Sequence, residues 1–350
     1  NNDELEKYIQ SLSEESGCTK ILVIGGGGNQ KGSITSSIEI LETDLLSKYN
    51  NLINISMTNV HIKSARNLMA NCSIETTPNV YTKYGKFSDL IDKESNIYVT
   101  YLPDEDMNKV IDTAKKLTLE GYNVIPHLPA RTISNNEELE KYIKSLSEES
   151  GCSKILVIGG GGKKKGSITS SIEILETDLL SKYNFEEVGL AGHPEGNPDV
   201  KQIDLDNAII QKNKFSKKTD FKMYLATQFF FEAKSLKEWE LHLSSLDNNL
   251  EIHAGIPGPA TLKTLLSYAT SCGIGNSIRF LSKQALNITK LATTKSPDKL
   301  IYDLAGYQIE NPKTKLKKIH FYAFGGIKKT SDWLKTVNKP DLIYNGQKFE

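Results

Sequence analysis

Residues 154–195 read KILVIGGGGKKKGSITSSIEILETDLLSKYNFEEVGLAGHPE. An apolar run, KILVIG (154–159), leads through glycines into an amphipathic stretch at 168–182. A second apolar run, EVGLAG (187–192), follows. Short runs rich in Val, Ile and Leu read as strands, and the spacing is that of a strand–helix–strand unit. In both strands the residues able to do chemistry come just past the C-terminal end: Gly159–Gly162 after the first, His193–Glu195 after the second.

Working outward, the same unit recurs. Further strands are expected at CSIET (72–76), IYVTYL (97–102), NVIPHL (123–128), FKMYLATQ (221–228), EIHAGI (251–256) and KIHFYAF (318–324). Helical patterns fall at 104–120, 136–148, 203–217, 235–246, 259–271, 276–293, 297–309 and 329–337. Asp104, Ser134 and Ser331 read as helix N-caps, and Gly121 and Gly273 as helix stops. Strands start about 25–35 residues apart, except before the last, where extra helices intervene. Eight strands each followed by a helix predict a (β/α)8 TIM barrel, an α/β fold. A doubly wound open sheet is the competing arrangement, but it would gather polar groups at one switch point. Here Glu75, Thr100, His127, Gly159–Gly162, His193–Glu195, Gln228, Pro257–Gly258 and Tyr322 lie at or just past the ends of all eight strands.

Residues 1–50 recur at 135–184 with five differences: Asp3/Glu137, Gln10/Lys144, Thr19/Ser153, Asn29/Lys163 and Gln30/Lys164. Structural repeats are tandem and drift in sequence, whereas this is one distant, nearly verbatim copy. It reads as a duplicated fragment, with 1–56 no independent domain and the barrel in 57–350. The alternative is a spare element able to swap into the fold or mediate dimerisation. Since 154–159 is covalently close to its neighbours, that copy is expected to hold the fourth barrel position, with 1–56 docked loosely.

Composition narrows the function. Lys+Arg and Asp+Glu are 43 each, so bulk charge does not build a nucleic-acid surface. No run reaches the roughly 18–20 apolar residues of a membrane span. Four cysteines lack CxxC spacing, and no His-x-His or His-Glu-x-x-His occurs, so neither a disulfide framework nor a metal site is expected. The expectation is a cytoplasmic protein without membrane or nucleic-acid partners.

Among candidate groups, Glu75 in CSIETTP sits at a strand end, where apolar surroundings would raise its pKa and suit a general acid. The alternative is a rim salt bridge. The tetraglycine lets backbone approach a phosphate, with Lys163–Lys165 adding charge, though a surface loop explains both. His127 and His193 suit hydrogen bonding to a ligand better than metal binding. His61, His242, His253 and His320 read as structural. In ATQFFFE, Gln228 can both donate and accept toward a heterocycle edge, while Phe229–Phe231 read mainly as packing.

Seven of these pieces, in order over about residues 72–325, resemble the methylenetetrahydrofolate reductases, flavin-dependent barrel enzymes. CSIETTP is similar to the family's S-F-E-F-F-P-P, IYVTY to its V-T-Y strand and IPHL to its A-P-H-L. HPEGNP is similar to Y-P-E-x-H-P, ATQFFFE to I-T-Q-F-F-F-D, AGIPGPATLK to P-G-I-L-P and IHFYAF to the closing H-F-Y. The resemblance implies FAD, with NADH or NADPH as co-substrate, and interconversion of 5,10-methylenetetrahydrofolate and 5-methyltetrahydrofolate. It implies Glu75 as catalytic acid. Thr100, His127, Gly159, Gly160, Gly161, Ser170, His193, Asn197 and Lys214 would face the cofactor, and Gln228 and Tyr268 the substrate. A homo-oligomer is compatible with it.

The chain departs from the family where L-R-G-D is replaced by Ile158-Gly159-Gly160-Gly161, removing an Arg and an Asp. Thr76, Thr77 and Asn79 make the first strand end more polar. A flavin-independent folate-binding barrel, and a non-catalytic product disrupted by the duplication, therefore stay open beside the reductase.

Overall fold

The computed structural model describes Lys7 and residues 60–93, 95–102, 104–161, 163–284, 291–339 and 341–350. The expectations for 1–56 and for Gly162 fall outside these residues. The compact unit that carries the sheet is Ser64–Glu350.

Eight parallel strands close into a barrel: β1 (Ser73–Thr76), β2 (Asn96–Val99), β3 (Asn123–Pro129), β4 (Lys154–Ile158), β5 (Glu187–Gly192), β6 (Lys222–Thr227), β7 (Glu251–Pro257) and β8 (Leu316–Tyr322). Each pairs with its neighbours in sequence, and β8 closes on β1 through Ser73 opposite His320. The fold is a (β/α)8 TIM barrel. Residues 154–158 do hold the fourth position, bonded to β3 on one side and β5 on the other.

Helices wrap the sheet: α1 (60–69), α2 (Pro78–Tyr84), α3 (Met107–Leu119), α4 (Asn136–Lys144), α5 (Ser171–Leu175), α6 (Leu179–Lys182) and α7 (Gln202–Ser216). After α8 (Ala233–Ser245) come α9 (Leu262–Ser271), α10 (Gly275–Gln284) and α11 (Asp298–Glu310), the extra helices expected before the last strand, and then α12 (Ile327–Val337). Gly121 and Gly273 follow α3 and α9 with φ of 96° and 65°, as helix stops should.

The N-cap expectations need correction. Asp106 caps α3 by accepting from Asn108 N, and Asn135 caps α4 by accepting from Glu138 N. Ser331 lies inside α12, which starts after Gly326. In each case a neighbouring polar residue or glycine competed, and the periodic pattern resolves helix starts only to a turn. The helix expected over 168–182 is two short ones, broken at Asp178, whose φ is 57°. The pattern expected to 293 ends at Gln284 among the described residues, and Thr294–Lys295 pairs with Ala260–Thr261 instead.

Strand side chains alternate between helices and barrel interior. Outward positions such as Ile97, Val99, Ile319 and Phe321 are fully buried under the helices. The inward set forms layers, as barrels of this kind do. Lys154–Glu187 (2.9 Å) and Lys222–Glu251 (2.8 Å) pair at the N-terminal end. Tyr98, Ile125, Leu156, Tyr224 and Ala226 fill the middle, where Tyr98 on β2 and Tyr224 on β6 share a 2.6 Å hydroxyl hydrogen bond across the interior. Gly189 makes room for that pair: a Cβ there would stand 2.7 Å from the Tyr224 ring.

Candidate functional site

The upper layer carries the chemistry. Glu75 projects from β1, and Oε1 accepts a hydrogen bond from Thr100 Oγ1, the residue just past β2. His127, from β3, brings Nε2 to 3.8 Å from Oε1, and His320, from β8, brings Nε2 to 3.4 Å from Oε2. Ser73, two residues before Glu75 and so on the same face, lies 2.9 Å from His320 Nδ1. The His320 ring packs against Tyr98 (4.3 Å between centroids) and Tyr322 (4.8 Å). His127 and His320 are buried, and neither Glu75 Oε2 nor His127 Nε2 has a hydrogen-bond partner.

Charge in this pocket differs from the sequence expectation. Burial pushes the Glu75 pKa upward, but contact with His320, the charges of both imidazoles and the Thr100 hydrogen bond outweigh it, so the net shift is downward. The apolar acid with a raised pKa is therefore a correction: the polar partners arrive from β2, β3 and β8, which β1 alone does not reveal. His127 is pushed down to about 4 by burial, against the opposing pull of Glu75.

Next along the mouth stand Gln228 and the aromatics. Gln228, just past β6, is half-buried, and its backbone N–H bonds Gly192 O at 2.8 Å. Cys272, half-buried, lies near enough to Gln228 and to the Glu75 charge for both to act on its thiol's ionisation. Burial raises that thiol's pKa, so Cys272 is not an activated nucleophile. Tyr322 donates to Thr227 O at 3.0 Å. Tyr268, 42% exposed, stacks on Phe324 at 3.9 Å, and Phe324 meets Phe229 at 4.8 Å. Phe229 and Phe230 are buried as packing residues, as expected.

The β4–β5 side of the mouth holds the remaining sequence candidates. Gly159 accepts from Arg131 N, and Gly160 has φ of 82° with Pro129 where a Cβ would stand (2.7 Å), so the glycines are pinned to the end of β3. Gly161 has open space around its Cα hydrogen. Ser170 caps α5 in a reciprocal capping box with Glu173. Asn197 Oδ1 accepts from Asp199 N in a local turn. Glu195 is held by Ser235 and Ser277. Lys214 points to solvent from α7.

The lysine of α7 that turns inward is Lys212. It is buried, donates to Ala191 O at 2.8 Å, and is pushed down to about 8 by burial. His193, beside it, is pushed down to about 4 by burial and the Lys212 charge. Sequence reading passed over Lys212 and took His320 as structural. The helical spacing of Ile209, Lys212 and Asn213, buried on one face, points to the first. The strand parity shared with Tyr322 points to the second.

Among the described residues no group of three or more His, Cys, Asp or Glu is arranged to hold a metal ion, and no helix is long and apolar enough to cross a membrane. A cleft of about 490 Å³ lined by Lys93, Lys154, Lys318 and Lys335 lies at the opposite, N-terminal end of the strands, away from Glu75.

Fold and site together define a (β/α)8 barrel with a carboxylate held between two imidazoles at its C-terminal mouth. No family profile matches the chain. Among solved structures it is similar to dihydropteroate synthase from Thermus thermophilus, with a TM-score of 0.37, 9% identity, and coverage of 75% of this chain and 90% of that one. A likeness that distant carries no information on chemistry.

Proposed function

We propose that the protein is a folate one-carbon oxidoreductase that interconverts 5,10-methylenetetrahydrofolate and 5-methyltetrahydrofolate with FAD and NAD(P)H. The observation that carries this reading is convergence. Glu75, Thr100, His127, Gln228 and Tyr322 come from five separate motifs of the reductase pattern, and they meet at one end of one barrel. Barrel enzymes place their chemistry at that end.

Physically, the substrate's five-membered ring must open before its methylene carbon can accept a hydride. Opening needs a proton on the departing nitrogen, and we assign its delivery to Glu75, whose downward-shifted carboxylate would take the proton up before passing it on. Gln228 offers an amide to the pterin edge, and the exposed face of Tyr268 offers a stacking surface. A bound flavin would supply the hydride.

Residues fit that cofactor on the β3–β5 side. His127 Nε2 is buried without a hydrogen bond, Gly161 leaves its backbone open, and Lys212 holds a buried amine under the end of β5. Ser170 and Asn197 are tied up locally and Lys214 faces away, so Lys212 replaces Lys214 in the cofactor set proposed here.

A flavin-free folate enzyme is the second reading, favoured by glycines standing where the family has Arg and Asp. The visible spectrum of the purified full chain separates the two. A flavin spectrum that bleaches with anaerobic NADH and recovers on adding methylenetetrahydrofolate supports the reductase. Protein that stays colourless after incubation with FAD, yet binds folate, supports the flavin-free enzyme.

A further inference from the structure

We propose that the cleft at the N-terminal end of the barrel is a second binding site, for a small molecule that joins a phosphate monoester to an apolar body, anchored by Lys318. The inference goes beyond the reductase reading and does not rest on it.

The cleft exists because the strands start at different heights. β1 begins at Ser73, opposite His320 of β8 and Asn96 of β2. β8 runs on below that rung, so Lys318, two residues earlier on the inward face, has no β1 strand residue beside it. The space left there measures about 490 Å³. Small-molecule sites span roughly 300–1,000 Å³.

A bulge aims the lysine. Lys318 pairs with His253 while Leu316 pairs with Ile252, so Lys317 is an extra residue in β8. Leu316 thereby keeps the outward parity of Ile252 and is buried under the helices, while Lys318 turns inward and lines the cleft. Bulges of this kind re-aim side chains beside functional sites.

Charge and shape then select the ligand. Lys93, Lys154, Lys318 and Lys335 line the cleft against one described carboxylate, Asp92. Lys154 is held by Glu187 at 2.9 Å. Lys335, in the last turn of α12, also complements the C-terminal end of that helix. Lys318 is half-buried on a strand, and among the described residues no carboxylate pairs with it. A half-buried amine in that position costs stability until an anion meets it.

The buried ring of His253, opposite Lys318 in register, feels the resulting field. Burial pushes its pKa down, and the charges of Lys318, His320, Lys222 and Lys154 push it further. A cleft lined by one sign of charge concentrates counter-ions. A phosphate monoester carries about −1.5 to −2 near pH 7, and lysine ammoniums bind phosphate as point charges. Met69, Ile91 and Leu334 line the same cleft and give the organic part of the ester an apolar wall.

Calorimetric titrations of the full chain at low ionic strength test this, with phenyl phosphate, inorganic phosphate and phenol as probes. Phenyl phosphate should bind, inorganic phosphate should bind more weakly, and phenol should not bind. Lys318→Met keeps the apolar stem and should weaken phenyl phosphate about tenfold or more. Lys335→Gln, on the exposed rim, should weaken it by a smaller factor. Lys328→Gln, on α12 but outside the cleft, should leave it unchanged.

Phenyl phosphate that fails to bind, or that binds both cleft variants as it binds the wild type, overturns the site. Inorganic phosphate binding as tightly as phenyl phosphate overturns the ester and leaves a bare anion site. Phenol binding as tightly overturns the part given to Lys318. A chain that fails to take up flavin would leave each of these outcomes as it stands, because Glu75 and the mouth lie at the other end of the strands.

Discussion

At the residue scale, Glu75 shows why a strand-end carboxylate cannot be read alone. Its position near the end of β1 was legible, but its charge state is set by Thr100, His127 and His320, which only barrel closure brings together. On the proposed reductase reading, Glu75→Gln should abolish folate turnover, a loss of about 10²–10⁴-fold, while NAD(P)H still reduces flavin; stopped-flow assays of each half-reaction check this. Equal loss in both would remove Glu75 from the acid role. Lys212 makes the second point: a buried amine pushed down to about 8 binds a proton less readily folded than unfolded. Its desolvation penalty is full below pH 8 and is relieved as pH rises from there toward 10.5, because the unfolded chain then holds the extra proton. Lys212→Met should therefore raise stability at pH 7 by about 2–3 kcal/mol, with the gain shrinking toward pH 10. Denaturant titrations at both pH values measure it, and a constant gain would mean the amine is not desolvated. Lys214 was the residue favoured from sequence because the resemblance placed a basic helix there, whereas burial periodicity selects Lys212.

At the element scale, strands were far more legible than helix ends. A strand's period of two is fixed by the pleat, so one-sided burial marks it in any context. Helix starts instead depend on which of several nearby polar residues caps, as Asp106 and Asn135 do in place of Asp104 and Ser134. The α5–α6 break at Asp178 turns on one backbone angle, a φ of 57°, which no periodicity encodes. Asp178→Gly should be neutral or stabilising by up to about 1 kcal/mol, readable by thermal melting; clear destabilisation would show that the carboxylate does more than occupy the turn. Strand β5 carries a sharper constraint in Gly189, whose missing Cβ admits the Tyr224 ring. Gly189→Ala should cost about 1–3 kcal/mol by overpacking and loosen the Tyr98–Tyr224 bond. Tyr224→Phe should cost a similar amount by stranding the Tyr98 hydroxyl. If Gly189→Ala melts like the wild type, the interior is softer than this packing implies.

At the scale of the whole molecule, closing the sheet puts β8 beside β1, and that single contact makes the site. The barrel itself was readable from eight evenly spaced units, whereas the Glu75–His320 meeting depends on register: Ser73 lies opposite His320. The same closure buries neutral imidazoles, with a consequence for acid stability. His127, on β3, and His193, just past β5, are each pushed from 6.5 down to about 4, chiefly by burial. Between those values the unfolded chain binds protons that the folded one refuses, so stability is full above pH 6.5 and falls as pH drops toward 4. Each such group steepens the fall by up to about 1.4 kcal/mol per pH unit. Glu75, shifted down from 4.5, adds its own loss only as pH falls below that value. Denaturant unfolding measured from pH 7 to 4.5 should therefore show stability declining before the carboxylates titrate. His127→Gln should remove close to one proton from the uptake on unfolding at pH 5, and His193→Gln, at a half-buried position, somewhat less. If the double variant keeps the full slope, the acid sensitivity lies in other groups, and the neutral imidazole placed in the proposed cofactor set would lose its support.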